Sequence, residues 1–277
     1  MNSFNFVYHR PESLAEAVEA YAQAKRDGLT PAYLAGGTEI ATFCRMGKMR
    51  AGALVDIKRI PECRARGVEG NEFVFGAALT LNEVIESDSF PLLRQASVLV
   101  DHTVRNRLTL GGNIASMLPY RETVLPFLLA DATARLVSPT GERRVPLVEV
   151  FSKSLLLQPG ELLGQIRVPQ AMASRAWFYR RRVRKGRLDY PLVTVCCLHA
   201  PDGLRMGVAG AFSFPVRSVE AEKVLNDGAV PLAERPRAVL AAIRHPFLED
   251  MRASAAYRRM LFERCVGEML SALKEVQ

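Results

Sequence analysis

The sequence predicts an α+β protein with α/β units in its first half and three strands followed by three helices in its second. Three observations lead there. Short apolar runs alternate with helical hydrophobic periods over the first hundred residues, which is the pattern of an α/β lobe. After residue 170 the order changes to strands first and helices last, with Asp202-Gly203 as a hairpin signal between two of the strands. Finally, 49% hydrophobic and 24% charged residues in 277 are the proportions of a folded chain, long enough to bury a core without disulfides.

The elements follow in order. Ser13-Leu14-Ala15-Glu16 is a capping-box pattern, and Leu14, Ala17, Val18 and Tyr21 recur at helical spacing, so 13–26 reads as an amphipathic helix. Ala32 to Ala35 is a short apolar strand that stops at Gly36-Gly37, and Thr38 to Met46 has helical composition. Ala53 to Ile57 and Glu72 to Gly76 read as further strands, and Thr80 to Glu83 opens a helix with a second capping box. Residues 91–102 and 122–131 read as helices around a second glycine turn, Gly111-Gly112. Ala134 to Ser138 and Arg143 to Val145 flank Pro139-Thr140-Gly141 as a hairpin. A boundary falls near Val168-Pro169-Gln170-Ala171. Beyond it Trp177 to Arg182, Leu192 to His199 and Leu204 to Ala211 read as strands, and 217–227, 232–243 and 253–274 as helices.

Composition narrows the function. No apolar run approaches the ~18 residues of a membrane helix, and Met1 to Phe6 lacks the basic and apolar pattern of a signal peptide, so a cytoplasmic protein without membrane contact is expected. The five cysteines are widely spaced without a C-x-x-C, and His9, His102, His199 and His245 are scattered. Reduced thiols and no metal site are expected. The formal charge is +8, with Arg180, Arg181, Arg182, Arg184, Lys185 and Arg187 crowded into eight positions. No zinc-finger or RNA-recognition pattern accompanies them, so nucleic acid is not the expected partner. The cluster is either a solvated loop or strand end, or a site for an anion or partner.

The chemistry is sought at the two glycine turns. Glycine permits positive φ and lets a ligand approach the backbone, and successive amides in such a turn form an anion-binding concavity. A following helix adds its free N-terminal N–H groups. Ala35-Gly36-Gly37-Thr38-Glu39 suits a phosphate, with the Thr38 hydroxyl as an extra donor. Two such turns suit a pyrophosphate better than one. Neither is a G-x-G-x-x-G, and no P-loop pattern is present, so a standard Rossmann site and a P-loop are disfavoured.

Leu34-Ala35-Gly36-Gly37-Thr38-Glu39-Ile40, Val55 to Glu62, and Val104 to Ala115 with its Thr109-Leu110-Gly111-Gly112-Asn113 resemble the FAD-binding subunit of molybdenum hydroxylases. This is the xanthine dehydrogenase and carbon monoxide dehydrogenase flavoprotein family. Further matches are Glu161-Leu162-Leu163 with Ile166 to Pro169, Arg187-Leu188-Asp189-Tyr190, and Ser254 to Arg259, in the family's order. The resemblance implies an α+β fold: a two-lobed FAD-binding domain of the vanillyl-alcohol-oxidase (PCMH) type over 1–170, with lobes of about 1–60 and 61–170, and a small α+β domain over 171–277. It implies noncovalent FAD, with the pyrophosphate on the amides of 35–39 and 111–113. Ile40 and Thr109 fall within the same two binding segments. Asn113 and Ser116 would add polar contacts, and the segment at Leu163 a backbone contact and an apolar wall beside the isoalloxazine.

Two positions depart from the family's pattern. Where it often has aspartate nine residues after the asparagine aligned with Asn113, this chain has Glu122, one methylene longer, which would accept hydrogen bonds from FAD hydroxyls or simply start a helix. The family's basic residue near the flavin falls within Arg180-Arg181-Arg182; Arg181 is favoured, and its charge would favour the reduced flavin. No cysteine lies between Cys63 and Cys196, so no iron–sulfur insertion is expected in this region.

The resemblance therefore implies an electron-transfer flavoprotein subunit, xanthine dehydrogenase-like. A molybdopterin-binding large subunit would hydroxylate a purine or other N-heterocycle. Electrons would come through a small iron–sulfur subunit to FAD and leave to NAD or another acceptor, and no catalytic acid–base pair is expected in this chain. Two rivals stand beside it: a self-sufficient FAD-dependent oxidoreductase of the same superfamily, and a non-enzymatic nucleotide-binding protein.

Overall fold

Ser13 caps the first long helix, its hydroxyl accepting the Glu16 amide at 3.2 Å, while the Glu16 carboxylate reaches back to the amide of Glu12 at 2.8 Å. The reciprocal arm of this cap thus lands one residue earlier than a standard capping box. In the computed structural model, residues 5–186 and 189–274 are described; Met1 to Phe4, Arg187, Leu188 and Glu275 to Gln277 lie outside them. In chain order the first elements are β1 (Val7–His9), α1 (Leu14–Arg26), β2 (Pro31–Leu34), α2 (Thr38–Arg45) and β3 (Ala53–Asp56). A 3₁₀ turn at Ile57–Arg59 leads to α3 (Pro61–Arg64), β4 (Arg66–Glu69), β5 (Glu72–Gly76) and α4 (Leu81–Ser87). The middle of the chain holds α5 (Pro91–Ser97), α6 (His102–Arg105), α7 (Leu110–Ile114) and α8 (Val124–Leu129). Next come β6 (Thr133–Ser138), β7 (Gly141–Pro146), α9 (Leu147–Val150), β8 (Leu162–Pro169) and α10 (Gln170–Ala173). The chain closes with β9 (Trp177–Val183), β10 (Pro191–Ala200), β11 (Gly203–Ala209), β12 (Val216–Arg217), α11 (Val219–Asn226), α12 (Arg235–Ala242) and α13 (Ala255–Lys274).

The chain forms two units. The first takes residues up to Ser89 with His102–Ser116 and Ala132–Val168; the second takes Phe90–Asp101, Met117–Asp131 and everything from Pro169. The first unit holds a parallel sheet in the order β1-β3-β2 and a five-stranded sheet in the order β4-β5-β8-β6-β7. β3 is central in its sheet, and all four of its residues are buried, which explains an apolar run without alternation. Leu14, Ala17 and Val18 of α1 pack with Val55, Ile57 and Ile60, so the apolar stripe of the helix covers this sheet. Thr80 starts α4 with a complete capping box, its hydroxyl on the Glu83 amide and the Glu83 carboxylate on the Thr80 amide.

The second unit carries an antiparallel sheet, β12-β11-β10-β9. β10 and β11 pair across Pro201-Asp202, with Ala200 opposite Gly203 at φ +123°, a conformation suited to glycine. Leu261, Phe262, Cys265, Val266, Met269, Leu270 and Leu273 of α13 enter the same core as Val193, Val195 and Cys197 of β10. That stripe repeats at i, i+1, i+4, i+5, i+8, a helix-wide face rather than a narrow seam.

Several elements escape sequence reading. β4 has four exposed residues and no apolar period; it is an edge strand created by the turn at Gly70, φ +60°. β8 carries Gly164 at the point where its register with β6 shifts, and that bulge breaks the alternation that would have marked a strand. The helix expected over 91–102 stops as α5 at Ser97, and α6 belongs to the other unit. The reduced thiols are found: all five cysteines are free, four of them buried, and burial pushes the Cys63 thiol up to about 12. Among the described residues no helix is long and apolar enough to cross a membrane, and no cluster of His, Cys, Asp and Glu could hold a metal ion.

Candidate functional site

The first glycine turn follows the carboxyl end of β2. Gly37 takes φ +71° as the N-cap of α2, the left-handed region that glycine enters at no steric cost. The first bond closing the helix runs from the Ala41 amide to the Gly37 carbonyl at 2.9 Å, so the amides of Thr38, Glu39 and Ile40 precede it and have no acceptor within the helix. Those three N–H groups stand at the positive end of the helix dipole. Ala35, Gly36, Gly37, Thr38, Glu39 and Ile40 are all half-buried, open enough to be reached.

The second turn is built on the start of α4. The Leu81 amide bonds the Leu108 carbonyl at 2.9 Å and the Leu110 amide bonds the Leu79 carbonyl at 2.8 Å. The segment before it is held by Asn82, 5% exposed, which donates to the carbonyl of His102 at 2.9 Å and accepts from Arg105 Nε at 2.9 Å. The Gly111 amide donates to the Ala77 carbonyl, and Asn113 to the Thr109 carbonyl, each at 2.8 Å. Of the amides expected to bind at this turn, Gly112 is the one that no hydrogen bond among the described residues uses. Gly112 is exposed, and a Cβ there would lie 2.7 Å from the Thr109 hydroxyl oxygen.

The two turns, some seventy residues apart in sequence, touch. A Cβ on Gly36 would sit 1.8 Å from the carbonyl oxygen of Arg107 and 3.4 Å from Thr109 Cγ2, so only glycine allows this approach. Ser116, expected to contact the cofactor, donates its hydroxyl to the Glu39 carboxylate and ties the end of α7 to α2. Beside them the Thr109 hydroxyl is buried and has no hydrogen-bond partner. A buried, unsatisfied hydroxyl costs free energy unless a ligand completes it. Together with the open amides of Thr38, Ile40 and Gly112, it suits an anionic ligand rich in acceptor oxygens, as a dinucleotide pyrophosphate is.

Leu163 lies in β8, 5% exposed, opposite Leu136 and next to the Gly164 bulge. The Gly164 carbonyl accepts the Ala77 amide at 2.9 Å. Ala77, which the sequence reading did not single out, therefore links the Leu163 segment to the second turn. Two residues of the matching segment Val55 to Glu62, given no role from the sequence, stand at the first turn. Asp56 ends β3 and is 5% exposed; it accepts from the Tyr8 hydroxyl, from the Lys58 amide at 3.0 Å and from Lys58 Nζ at 2.8 Å. Lys58 Nζ also donates to the Ala35 carbonyl at 3.1 Å. A carboxylate closing an otherwise apolar buried strand was the available signal. Burial works to raise the Asp56 carboxyl, and the hydrogen bonds from Lys58 and Tyr8 outweigh it, leaving it below the usual range.

In the second unit Glu122 is 1% exposed, and its Oε1 accepts from Thr194 at 2.6 Å, Arg181 Nε at 3.0 Å and Tyr179 at 3.1 Å. Arg181 also donates to the Asp189 carbonyl at 2.6 Å. Alternation along β9 sends the neighbours elsewhere: Arg180 and Arg182 both pair with Glu268 of α13. Arg184 is exposed and donates to the Met251 carbonyl at 3.1 Å, and Lys185 is exposed. Among the described residues the basic cluster is thus several sites of different kinds rather than one; Arg187 lies outside them. Burial, with the charge of Glu122 adding to it, raises the Tyr179 hydroxyl well above its ordinary value, so it remains a donor to that carboxylate.

A family described as the FAD binding domain in molybdopterin dehydrogenase matches residues 2–171. The carbon monoxide dehydrogenase medium chain of Hydrogenophaga pseudoflava is 35% identical over 187 residues, 65% of this chain and 64% of that relative's length. The medium chain of the same enzyme from Afipia carboxidovorans is 29% identical over 268 residues, covering 92% and 91% of the two chains. Among solved structures, carbon monoxide dehydrogenase from Hydrogenophaga pseudoflava superposes with a TM-score of 0.87 at 30% identity, covering 98% of each chain.

Proposed function

The chain belongs to the family of FAD-binding domains of molybdopterin dehydrogenases, and on that premise we propose that it relays electrons from iron–sulfur clusters of a partner subunit to NAD or another acceptor. It is an FAD-binding oxidoreductase subunit of a molybdenum hydroxylase. FAD, when bound, supplies a redox centre able to exchange electrons singly with clusters and pairwise with a soluble acceptor. The observation that carries the reading is the meeting of the two glycine turns at Gly36, Arg107 and Thr109.

The chain's own residues have binding and positioning roles. The amides of Thr38, Glu39, Ile40 and Gly112 and the Thr109 hydroxyl would hold the pyrophosphate. Ala35, Gly36, Gly37 and Gly111 would shape the turns, and Asn113 and Ser116 would add polar contacts. Leu163 would supply the apolar wall, Arg181 a cation toward the ring and Glu122 an acceptor for FAD hydroxyls. Arg181, fixed by Glu122, would present its guanidinium in one orientation.

The partners proposed are a molybdopterin-binding large subunit and an iron–sulfur small subunit, in a xanthine dehydrogenase-like complex. A second reading, with carbon monoxide as the reductant of the complex, is favoured by the two medium chains and the structure above. Purification from the host with identification of the bound subunits, followed by reduction with hypoxanthine, carbon monoxide or NADH, separates the two. The flavin is expected to leave the protein on acid precipitation. Flavin that stays attached would show a covalent link, and a preparation without flavin after reconstitution would defeat the reading.

A further inference from the structure

The carboxyl ends of β2 and β3 lie side by side, with Leu34 in register with Asp56 in a parallel pair. Ligands of open parallel sheets bind outside the carboxyl ends of the strands. The first glycine turn leaves β2 there, and Lys58 leaves β3 at the same edge. An ammonium has three N–H donors. Two of those on Lys58 are committed, one to Asp56 and one to the Ala35 carbonyl inside the turn. Its side chain is 45% exposed, so the third reaches solvent at that edge. Asp56 is nearly fully buried and accepts from the hydroxyl of Tyr8 of β1 on the same oxygen that takes Lys58, so the charge is anchored rather than swinging freely.

We propose that Lys58 is a direct phosphate-binding residue of this subunit, giving its third N–H to a phosphate oxygen of FAD held at the Ala35–Ile40 turn, with Asp56 and Tyr8 as positioning residues. The proposal rests on the FAD reading above. The helix amides supply partial charge and direction. Lys58 adds a full charge on the flank of the turn, and an anchored cation loses less entropy on binding than a free lysine does. The Asp56–Lys58 pair is close to neutral at long range. A ligand at the Ala35 carbonyl nevertheless meets the ammonium first, because Asp56 is buried at the carboxyl end of the central strand.

The test uses the full chain with whatever subunits co-purify, stripped of flavin and titrated with FAD at low and high salt. Lys58→Gln is expected to weaken FAD binding about tenfold at low salt, the scale of one hydrogen bond to a charged group. The loss should shrink at high salt. Lys58→Arg should restore most of the affinity. Asp56→Asn should give an intermediate loss by freeing the lysine. Thermal melting of Lys58→Gln close to wild type would show that the fold is kept. A loss that is independent of salt and not restored by arginine would mean that Lys58 only buttresses the Ala35 carbonyl, and overturns the proposal. Wild-type affinity in Lys58→Gln overturns it as well. A wild-type protein that binds no FAD removes the flavin reading itself, which is a different result from either.

Discussion

Gly36→Ala is expected to empty the protein of flavin, although it adds one methyl group. That methyl would lie 1.8 Å from the Arg107 carbonyl oxygen and 3.0 Å from its carbon, and both are backbone atoms. The neighbour cannot rotate away as a side chain could, so the β2–α2 turn must part from the segment leading to Thr109. Overpacking of this kind costs about 1–3 kcal/mol or more in stability. The larger effect falls on binding, because the two sets of amides would no longer converge on one ligand. Absorbance at the flavin bands, with a melting curve on the same sample, reads both. Gly228→Ala is the control: a Cβ there meets nothing within 4 Å, so flavin content and melting should stay as in wild type. Full flavin occupancy in Gly36→Ala would show that the turns do not act together.

Glu122→Ala should be the most destabilising change in the second unit. It removes one oxygen that serves Tyr179, Arg181 and Thr194 together. Arg181 would be left 12% exposed and without its carboxylate partner. Breaking a buried pair by removing one member costs about 3–5 kcal/mol. Glu122→Gln keeps the shape and one acceptor oxygen and should cost less. Urea denaturation of the two variants measures the order, and a loss below about 1 kcal/mol in Glu122→Ala would mean that Arg181 readily finds another acceptor.

What could be read in advance followed local rules. The capped helices at Ser13 and Thr80, the glycine turns and the hairpin signalled by Asp202-Gly203 each depend on a few adjacent residues. The β4 strand, the Gly164 bulge and the Ala77 link depend on contacts between residues distant in sequence, and no periodicity records those. At the site the glycines were legible because few other residues tolerate their backbone geometry. The Thr109 hydroxyl drew notice only through its place in the second segment, and its burial without a partner is a property of three dimensions. Lys58 stood only within the Val55 to Glu62 match, and its bond to the Ala35 carbonyl joins residues 23 positions apart, which no local pattern records. Arg180, Arg181 and Arg182 looked like one cluster, and strand alternation divides them between Glu268 and Glu122.

The way the chain threads its two units bears on its synthesis. It passes between them after Ser89, Asp101, Ser116, Asp131 and Val168. Leu92 and Leu93 of α5, and Leu125, Phe127 and Leu129 of α8, are fully buried, and these helices pack on strands of the sheet built from residues 177–217. On a ribosome those helices emerge many residues before β9 to β11 exist. Their apolar faces must wait, and transiently exposed apolar surface is prone to aggregation. A fragment ending near residue 170 would keep the waiting faces permanently. Expression of 1–170 alone should therefore yield insoluble protein where the full chain is soluble, and the reach of the family match, to residue 171, does not mark a piece that can be made by itself.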